Sequence, residues 1–320
     1  MNHCATPQPV GFTRANIRLT PFAEHLSGRS GVTCEDFLMQ SRSVVLRTLG
    51  VCVGVAAFAL LAVPSAKVMA KSTPKKQALD PANFDRGAAS RNKYFPLVPG
   101  NQSIQQGALN RGHRRLPHRR VLTVTDVTKE IAGVSTVLIL DQDFDGGEIA
   151  EQALDYVAED RVGNIWYLGS YTEAYEGGQF VNANDAWLAG VKGGQAGILM
   201  PANPTAGSPK FVEAVVPGEG VATGRVVKTG QKECVPFRCY DNVIIIEEGS
   251  ERRFFAPEVG IIKTRPGSSN EQETEELVNF VRLSAAGLAE ISDEANRLDD
   301  HASTTSQRVF GKSAKAKRKT

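Results

Sequence analysis

The sequence predicts an all-β domain built on an antiparallel sheet, followed by one C-terminal helix. Between residues 121 and 264, short segments rich in β-branched and apolar residues recur about every ten residues, and glycine-containing turns separate them. Many short strands with regular turns are typical of antiparallel β folds. The spacing then changes, because Leu288, Ile291, Ala295 and Leu298 share one face of a helix that Ser284 can cap.

One segment within the sheet region permits two interpretations. Residues 148–160 contain alanine, leucine, tyrosine and valine in an order that a helix also tolerates. Turn residues stand on both sides of the segment, and this favours a strand.

An N-terminal segment has the three-part layout of a secretory signal peptide. Two arginines precede an apolar run over residues 48–63, and a proline and small residues then lead to Ala70. The run is shorter than the roughly 20 residues of a membrane span. We therefore expect residues 39–70 to be cleaved after Ala70 on the general secretory route, with an uncleaved anchor helix as the alternative. The mature chain would then be periplasmic or extracellular.

The remaining boundaries follow from composition. Residues 1–38 precede the leader, and we interpret them as a mis-called extension, with translation starting at Met39. Residues 71–92 are polar without a periodic apolar face, which predicts a linker. The β domain is expected over residues 93–283 and the helix over residues 284–301. Residues 302–320 end in five positive charges, and we predict a disordered basic tail.

Two cysteines, Cys234 and Cys239, remain once the leader is removed. Two cysteines in an exported protein are expected to pair. The four residues between them include a proline and suit a turn that places the cysteines opposite each other on adjoining strands. The spacing is not that of a thioredoxin-like redox motif or of a zinc site. We therefore predict a structural disulfide.

The densest charge lies in residues 111–120, which contain five arginines and two histidines and no acid. The whole chain has 37 basic and 35 acidic side chains, so its formal charge of +2 argues against a general nucleic-acid binder. Arginine suits phosphate and carboxylate groups. The segment is either a solvated hairpin loop or a weak binding site for anionic polymers. The candidate polyanion-binding residues are Arg114, Arg115, Arg119 and Arg120.

Asp141, Asp143 and Asp145, followed by Gly146, match the first half of a calcium-binding loop. The twelfth position of the loop is Gln152, where a bidentate glutamate would be needed. The flanking segments read as strands and not as helices. The three aspartates either line up on one face of a strand or form a solvated hairpin end, and we expect no meaningful calcium affinity.

The sequence lacks the common signatures of catalysis. It contains no nucleophile-elbow, zinc-protease or phosphate-loop motif, and after leader removal His113, His118 and His301 are the histidines that remain. Asp155, Glu159, Glu173 and Asp185 could supply a carboxylate pair for glycoside hydrolysis. Acidic residues are common on β-domain surfaces, so we regard the chain as a non-enzyme that needs no cofactor.

Several segments resemble a group of secreted, functionally uncharacterised bacterial proteins over roughly residues 94–265. The segments that carry the resemblance are YFPLVPG (94–100), GNIWY (163–167), Trp187, GILMPA (197–202), and VPF (235–237) ahead of DNV (241–243). The resemblance implies a single curved antiparallel sheet or an open half-barrel, somewhat like periplasmic lipoprotein carriers. The chain departs from the group at residues 101–106, which are polar where an aromatic strand is usual, and this predicts a weak first strand.

The sequence thus favours an exported, non-enzymatic β domain that binds an apolar ligand or a protein partner on the concave face of its sheet. The alternative is attachment to anionic polymers or another cell-envelope component through residues 111–120 and the tail. A hydrolase is the third interpretation. No nucleic-acid partner and no membrane span are expected for the mature chain.

Overall fold

The computed structural model describes residues 77–85, 89–111, 114–266 and 273–319. The predicted extension, the signal peptide, and residues 71–76 and 86–88 of the linker lie outside the described residues. Among the helices of the described part, none is long and apolar enough to cross a membrane.

The described chain is mostly strand. A short 3₁₀ helix covers Pro81–Asn83, and two α-helices follow the sheet: α1 (Ala285–Thr305) and α2 (Gln307–Phe310). The strands are β1 (Asn101–Arg111), β2 (Arg114–Ile131), β3 (Val134–Asp145), β4 (Glu148–Glu159), β5 (Ile165–Glu176), β6 (Gln179–Asn182), β7 (Ala186–Leu188), β8 (Gln195–Met200), β9 (Phe211–Val216), β10 (Gly220–Cys234), β11 (Cys239–Glu248), β12 (Glu251–Ala256), β13 (Gly260–Pro266), β14 (Glu273–Arg282) and β15 (Lys317–Arg318).

Twelve of these strands form a closed antiparallel barrel. The hydrogen-bonded order is β1-β14-β13-β12-β11-β10-β9-β8-β5-β4-β3-β2, and β2 pairs with β1 again. Strands β6 and β7 pair with β5 outside this ring. The predicted antiparallel β fold with a C-terminal helix is confirmed, and residues 148–159 form a strand as expected.

The prediction of an open half-barrel was wrong, because β1 closes the barrel. This strand pairs with β14 along one edge and with β2 along the other. Its buried positions include Ser103 and Gln105, so it lacks the apolar alternation by which a strand is recognised. Backbone hydrogen bonds on both edges close the barrel, and the polar segment predicted to be weak is a full strand of 11 residues.

Helix α1 packs on the outer face of the barrel. Ser284 caps it, with Oγ accepting from the Gly287 amide at 3.2 Å, and Ala295 and Leu298 are buried against the sheet. Both features were predicted. The barrel residues of this cluster include Leu138 and Leu140.

Ile139, which points to the other face of β3, belongs to a second cluster with Val226, Ile246 and Phe255 from across the ring. This second cluster fills part of the barrel interior.

The predicted disulfide is present between Cys234 and Cys239, the last residue of β10 and the first of β11. The two residues are direct cross-strand partners, with Cα atoms 3.9 Å apart. The disulfide therefore links β10 and β11 at the turn of their hairpin.

The linker and the tail are more ordered than the sequence indicates. In the linker region, the Phe84 ring packs edge-on against Trp166, with centroids 5.9 Å apart, and Asn92 is buried. In the tail, β15 pairs with β2 at Val127 and Thr128, beyond the reach of β1. The basic tail therefore continues the sheet and is not a disordered extension.

Candidate functional site

Six ionisable side chains meet inside the barrel at the end where β1 joins β2. We call them the interior charge cluster: His118, Arg120, Asp141, Asp143, Asp145 and Glu275. Alternation along the strands brings them together, because His118 and Arg120 on β2 are the cross-strand partners of Asp145 and Asp143 on β3.

Glu275 reaches the cluster across β1. Gly107 on β1 is the partner of His118 on one side and of Glu275 on the other. A Cβ at position 107 would lie 1.5 Å from the carbonyl oxygen of Thr274, so the β14 backbone requires glycine here. With no side chain between them, His118 Nε2 and Glu275 Oε1 approach to 3.0 Å.

Two centres organise the cluster. The ring of His118 lies between carboxylates, with Nδ1 2.8 Å from Asp145 Oδ1 and Nε2 3.6 Å from Asp143 Oδ1. Arg120 donates from Nε to both Asp141 oxygens at 3.0 Å, and its Nη1 lies 3.8 Å from Glu275 Oε2. Charge-assisted bonds of this kind are stronger than neutral ones.

Two carboxyls of the cluster titrate in opposite directions. Burial and the neighbouring Asp141 raise the pKa of Asp143 to about 8, against the opposing effect of Arg120. Burial also pushes the pKa of Glu275 upward, but Arg120 and His118 outweigh it and hold that pKa at about 2. Asp143 is therefore largely protonated at neutral pH, whereas Glu275 is ionised.

A second buried acidic pair, Glu213 on β9 and Glu248 on β11, lies beside Arg253 of β12. Arg253 Nη1 is 2.8 Å from Glu248 Oε2. Burial and the charge of Glu248 raise the pKa of Glu213 to about 9. Glu213 is thus a neutral acid at physiological pH.

A groove of about 870 Å³ opens at the other end of β2. Its walls are the N-terminal segment, the β2–β3 hairpin, the end of β4 and the C-terminal tail. Its partly exposed apolar lining includes Phe84, Leu97, Val98 and Val137, above the buried Val127 and Ala158, and its basic lining includes Arg91, Lys129, Lys315, Lys317 and Lys319.

The acids around the groove are mostly engaged. Arg318 pairs with Asp126 at 2.7 Å, and Arg161 pairs with Asp85 at 2.7 Å. Glu159 accepts from the backbone amides of Arg91 and Asn92. Lys317 and Lys319 are exposed, and within the described ranges neither forms an ion pair. The groove therefore combines an apolar floor with two lysines that are available to an anion.

The structure separates the four predicted polyanion-binding arginines. Arg115 and Arg119 are exposed, and Arg119 lies over the Phe144 ring, 4.1 Å from its centroid. Arg120 points inward to Asp141, because neighbouring residues of a strand face opposite sides. The side chain of Arg114 lies outside the described residues. Among the three whose side chains the structure describes, Arg115 and Arg119 face solvent.

The three aspartates of the predicted calcium half-loop share one face of β3, as the strand interpretation required. Their partners differ, since Asp141 binds Arg120 and Asp145 binds His118. Gln152 pairs with Gln142 and so faces away from all three aspartates. The expectation of no meaningful calcium affinity stays a prediction.

The four acids considered for hydrolysis occupy separate surroundings. Tyr167 donates to Asp155 at 2.6 Å, and Glu159 binds the N-terminal segment. Glu173 accepts from Tyr171 at 2.6 Å and lies 2.5 Å from His301 Nδ1. Asp185 is exposed in the connection between β6 and β7. The structure does not bring these residues together as a pair.

No protein-family model matches the chain, and no curated protein is similar to it. A solved structure that is similar is a "putative lipoprotein" from Parabacteroides distasonis ATCC 8503, at 13% identity and a TM-score of 0.28. The match covers 59% of this chain and 99% of that one. A similarity of this size carries no argument about fold or function.

Proposed function

We propose that the mature chain is an exported, non-enzymatic binding protein that holds an amphipathic anion in the groove beside β15. The observation that carries the proposal is the composition of the groove, in which apolar side chains form the floor and Lys317 and Lys319 stand at the rim. Its volume of about 870 Å³ lies within the range of small-molecule sites. A single acyl chain with a phosphate or carboxylate head has this chemistry.

Two features support export. The segment over residues 39–70 has the layout of a cleavable leader. The Cys234–Cys239 disulfide suits an oxidising compartment outside the cytoplasm.

The barrel interior is a poorer place for an apolar ligand than the groove. Ile139, Val226 and Phe255 pack together from opposite walls of the ring. Further along the interior, the charge cluster and Arg253 are polar. The groove, in contrast, leaves Phe84, Leu97 and Val98 partly exposed next to solvent-facing lysines.

The groove assignment predicts selective binding of anionic amphiphiles. Calorimetric titration should show binding of dodecyl phosphate and weaker binding of dodecanol, because the neutral alcohol cannot pair with the lysines. The double variant K317S/K319S should bind dodecyl phosphate about tenfold more weakly, because it removes the two charges that pair with the phosphate. A tenfold loss corresponds to about 1.4 kcal/mol of binding free energy. The variant V98S should weaken both ligands.

The matched control is K210S/K228S, which removes two exposed lysines from elsewhere in the barrel. It should bind like the parent. Equal affinity of the parent and K317S/K319S for dodecyl phosphate would contradict the proposal, and so would an absence of binding.

Attachment to anionic polymers is the second candidate function, and the exposure of Arg115 and Arg119 favours it. We expect R115S/R119S to elute from a heparin column at lower salt than the parent, because exposed charges act within a Debye length of about 8 Å. R120S is unsuitable as a probe, because it would leave Asp141 buried without its partner. Identical elution of R115S/R119S and the parent would remove this candidate.

A further inference from the structure

We propose that His118, Asp143 and Glu275 form a binding site for a divalent transition-metal cation inside the barrel, independent of the groove. The three residues come from β2, β3 and β14, and each offers one ligand atom. All three ligand atoms lie within 4.8 Å of one another. One imidazole nitrogen and two carboxylate oxygens form a donor set that zinc and its neighbours accept.

The spacing of the ligand atoms suits a small cation. His118 Nε2 lies 3.0 Å from Glu275 Oε1 and 3.6 Å from Asp143 Oδ1. In a tetrahedral zinc site with bonds of about 2.0–2.1 Å, neighbouring ligand atoms are about 3.3 Å apart. The two distances from His118 lie on either side of this value, and the ligand atoms of Asp143 and Glu275 lie within 4.8 Å of each other, so rotation of the carboxyl groups would bring all three to a cation.

The histidine is oriented as in protein metal sites. Asp145 Oδ1 lies 2.8 Å from Nδ1 of His118, which directs Nε2 toward Asp143 and Glu275. A carboxylate that fixes the far nitrogen of a ligating histidine is the usual outer-shell partner. Nε2 therefore faces the two carboxyl groups, and it is the nitrogen from which an imidazole in this orientation would ligate a metal ion.

An unpartnered oxygen points to a ligand independently of the spacing. Oδ1 of Asp143, one of the proposed ligand atoms, has no hydrogen-bond partner among the residues that the structure describes. Glu275 has a side-chain exposure of 3%, and its Oε1 faces His118 while its Oε2, which also lacks a hydrogen bond within the described ranges, faces Arg120. Buried polar atoms normally have a partner, and a cation at the site would supply the one that Asp143 lacks.

The surroundings of the site limit its affinity and its selectivity. Arg120 lies 3.8 Å from Glu275 and 3.9 Å from Asp143, and its positive charge opposes a second cation. We therefore expect a dissociation constant in the micromolar range. Calcium prefers six to eight oxygen ligands, so this nitrogen-containing set of three favours zinc over calcium.

The test is a calorimetric titration of chelator-treated mature protein with zinc chloride and, separately, with calcium chloride. We expect about one zinc per chain and no calcium binding. Asp143 is half-buried and D143N keeps the side-chain shape, so we expect this variant to fold and to bind zinc at least tenfold more weakly. H118N should weaken zinc binding further.

The matched control is H301Q, because His301 also lies beside a carboxylate but outside the cluster. It should bind zinc like the parent. Cobalt added to the unaltered protein should give the visible absorption bands of a low-coordinate site, which requires no variant. Unchanged zinc affinity in D143N, or no cobalt bands in the parent, would overturn the proposal.

Discussion

Replacing Asp299 with alanine is expected to lower the free energy of unfolding by about 3–5 kcal/mol, because it leaves Lys129 buried without a counter-charge. Both side chains are nearly inaccessible, and Lys129 Nζ lies 2.8 and 2.9 Å from the two Asp299 oxygens. The Tyr156 hydroxyl donates to the same carboxylate at 2.8 Å. Burial and Asp299 raise the pKa of Tyr156 well above its usual range, so its hydroxyl keeps its proton.

Asp299 also connects three parts of the fold. It lies on α1, Lys129 lies on β2, and the Ala316 amide of the tail donates to Asp299 at 3.1 Å. Loss of the carboxylate should therefore loosen both the helix and β15. Urea unfolding followed by circular dichroism measures the change in stability, and hydrogen exchange should show faster exchange in the tail.

The neighbouring D300A variant is the control for this prediction. Asp300 lies on the same helix but is exposed, and its ion pair with Lys315 spans 3.2 Å at the surface. Exposed pairs contribute about 0–1 kcal/mol. If D299A and D300A were equally stable, the buried ion pair would not anchor α1. The double variant K129M/D299L should recover much of the loss, because it removes both charges together.

The local features of the fold follow from short-range patterns. Each of these patterns involves residues that are close together in the sequence. They are the alternation within strands, the glycine turns, the helical spacing of Ala295 and Leu298, and the hairpin between Cys234 and Cys239. No local pattern predicts the closure of the barrel, because the closing strand β1 contributes backbone hydrogen bonds and polar side chains such as Gln105. A polar segment between two long strands gives no apolar signal of its role.

The interior charge cluster depends on contacts that are distant in the sequence. His118 and Glu275 are 157 positions apart, and they meet because Gly107 of the intervening strand has no side chain. The spacing of residues along the sequence therefore does not predict this contact. The sequence also does not distinguish Arg119 from Arg120 within the basic segment, but the two side chains lie on opposite faces of β2.

The tail shows how composition can mislead. Five positive charges without a large apolar side chain in the last nine positions indicate disorder. The partners that order the tail, Asp126 on β2 and Asp299 on α1, lie elsewhere in the chain. Lys317 therefore lies on a strand, and the backbone amide of Lys319 donates to the Asp126 carbonyl at 2.7 Å, so tertiary contacts fix both lysines beside the apolar floor of the groove.

Replacing Glu213 with glutamine is expected to stabilise the protein, and to do so increasingly as the pH rises. The pKa of Glu213 in the folded chain is about 9, because the carboxyl is buried and lies near Glu248. In the unfolded chain a glutamate releases its proton near pH 4.5. Between these values the folded protein holds a proton that the unfolded chain has lost, so the free energy of unfolding falls as the pH rises.

Each pH unit in that window costs at most about 1.4 kcal/mol, and coupling with Glu248 reduces this slope. We therefore expect E213Q to exceed the parent by roughly 2 kcal/mol more at pH 8 than at pH 5, measured by urea unfolding at both values. E219Q, in the exposed β9–β10 turn, should match the parent at both. Because glutamine cannot ionise, a stability difference between E213Q and the parent that is independent of pH would mean that Glu213 is already charged in the folded barrel. Arg253, which lies beside Glu248, would then have to neutralise both carboxylates.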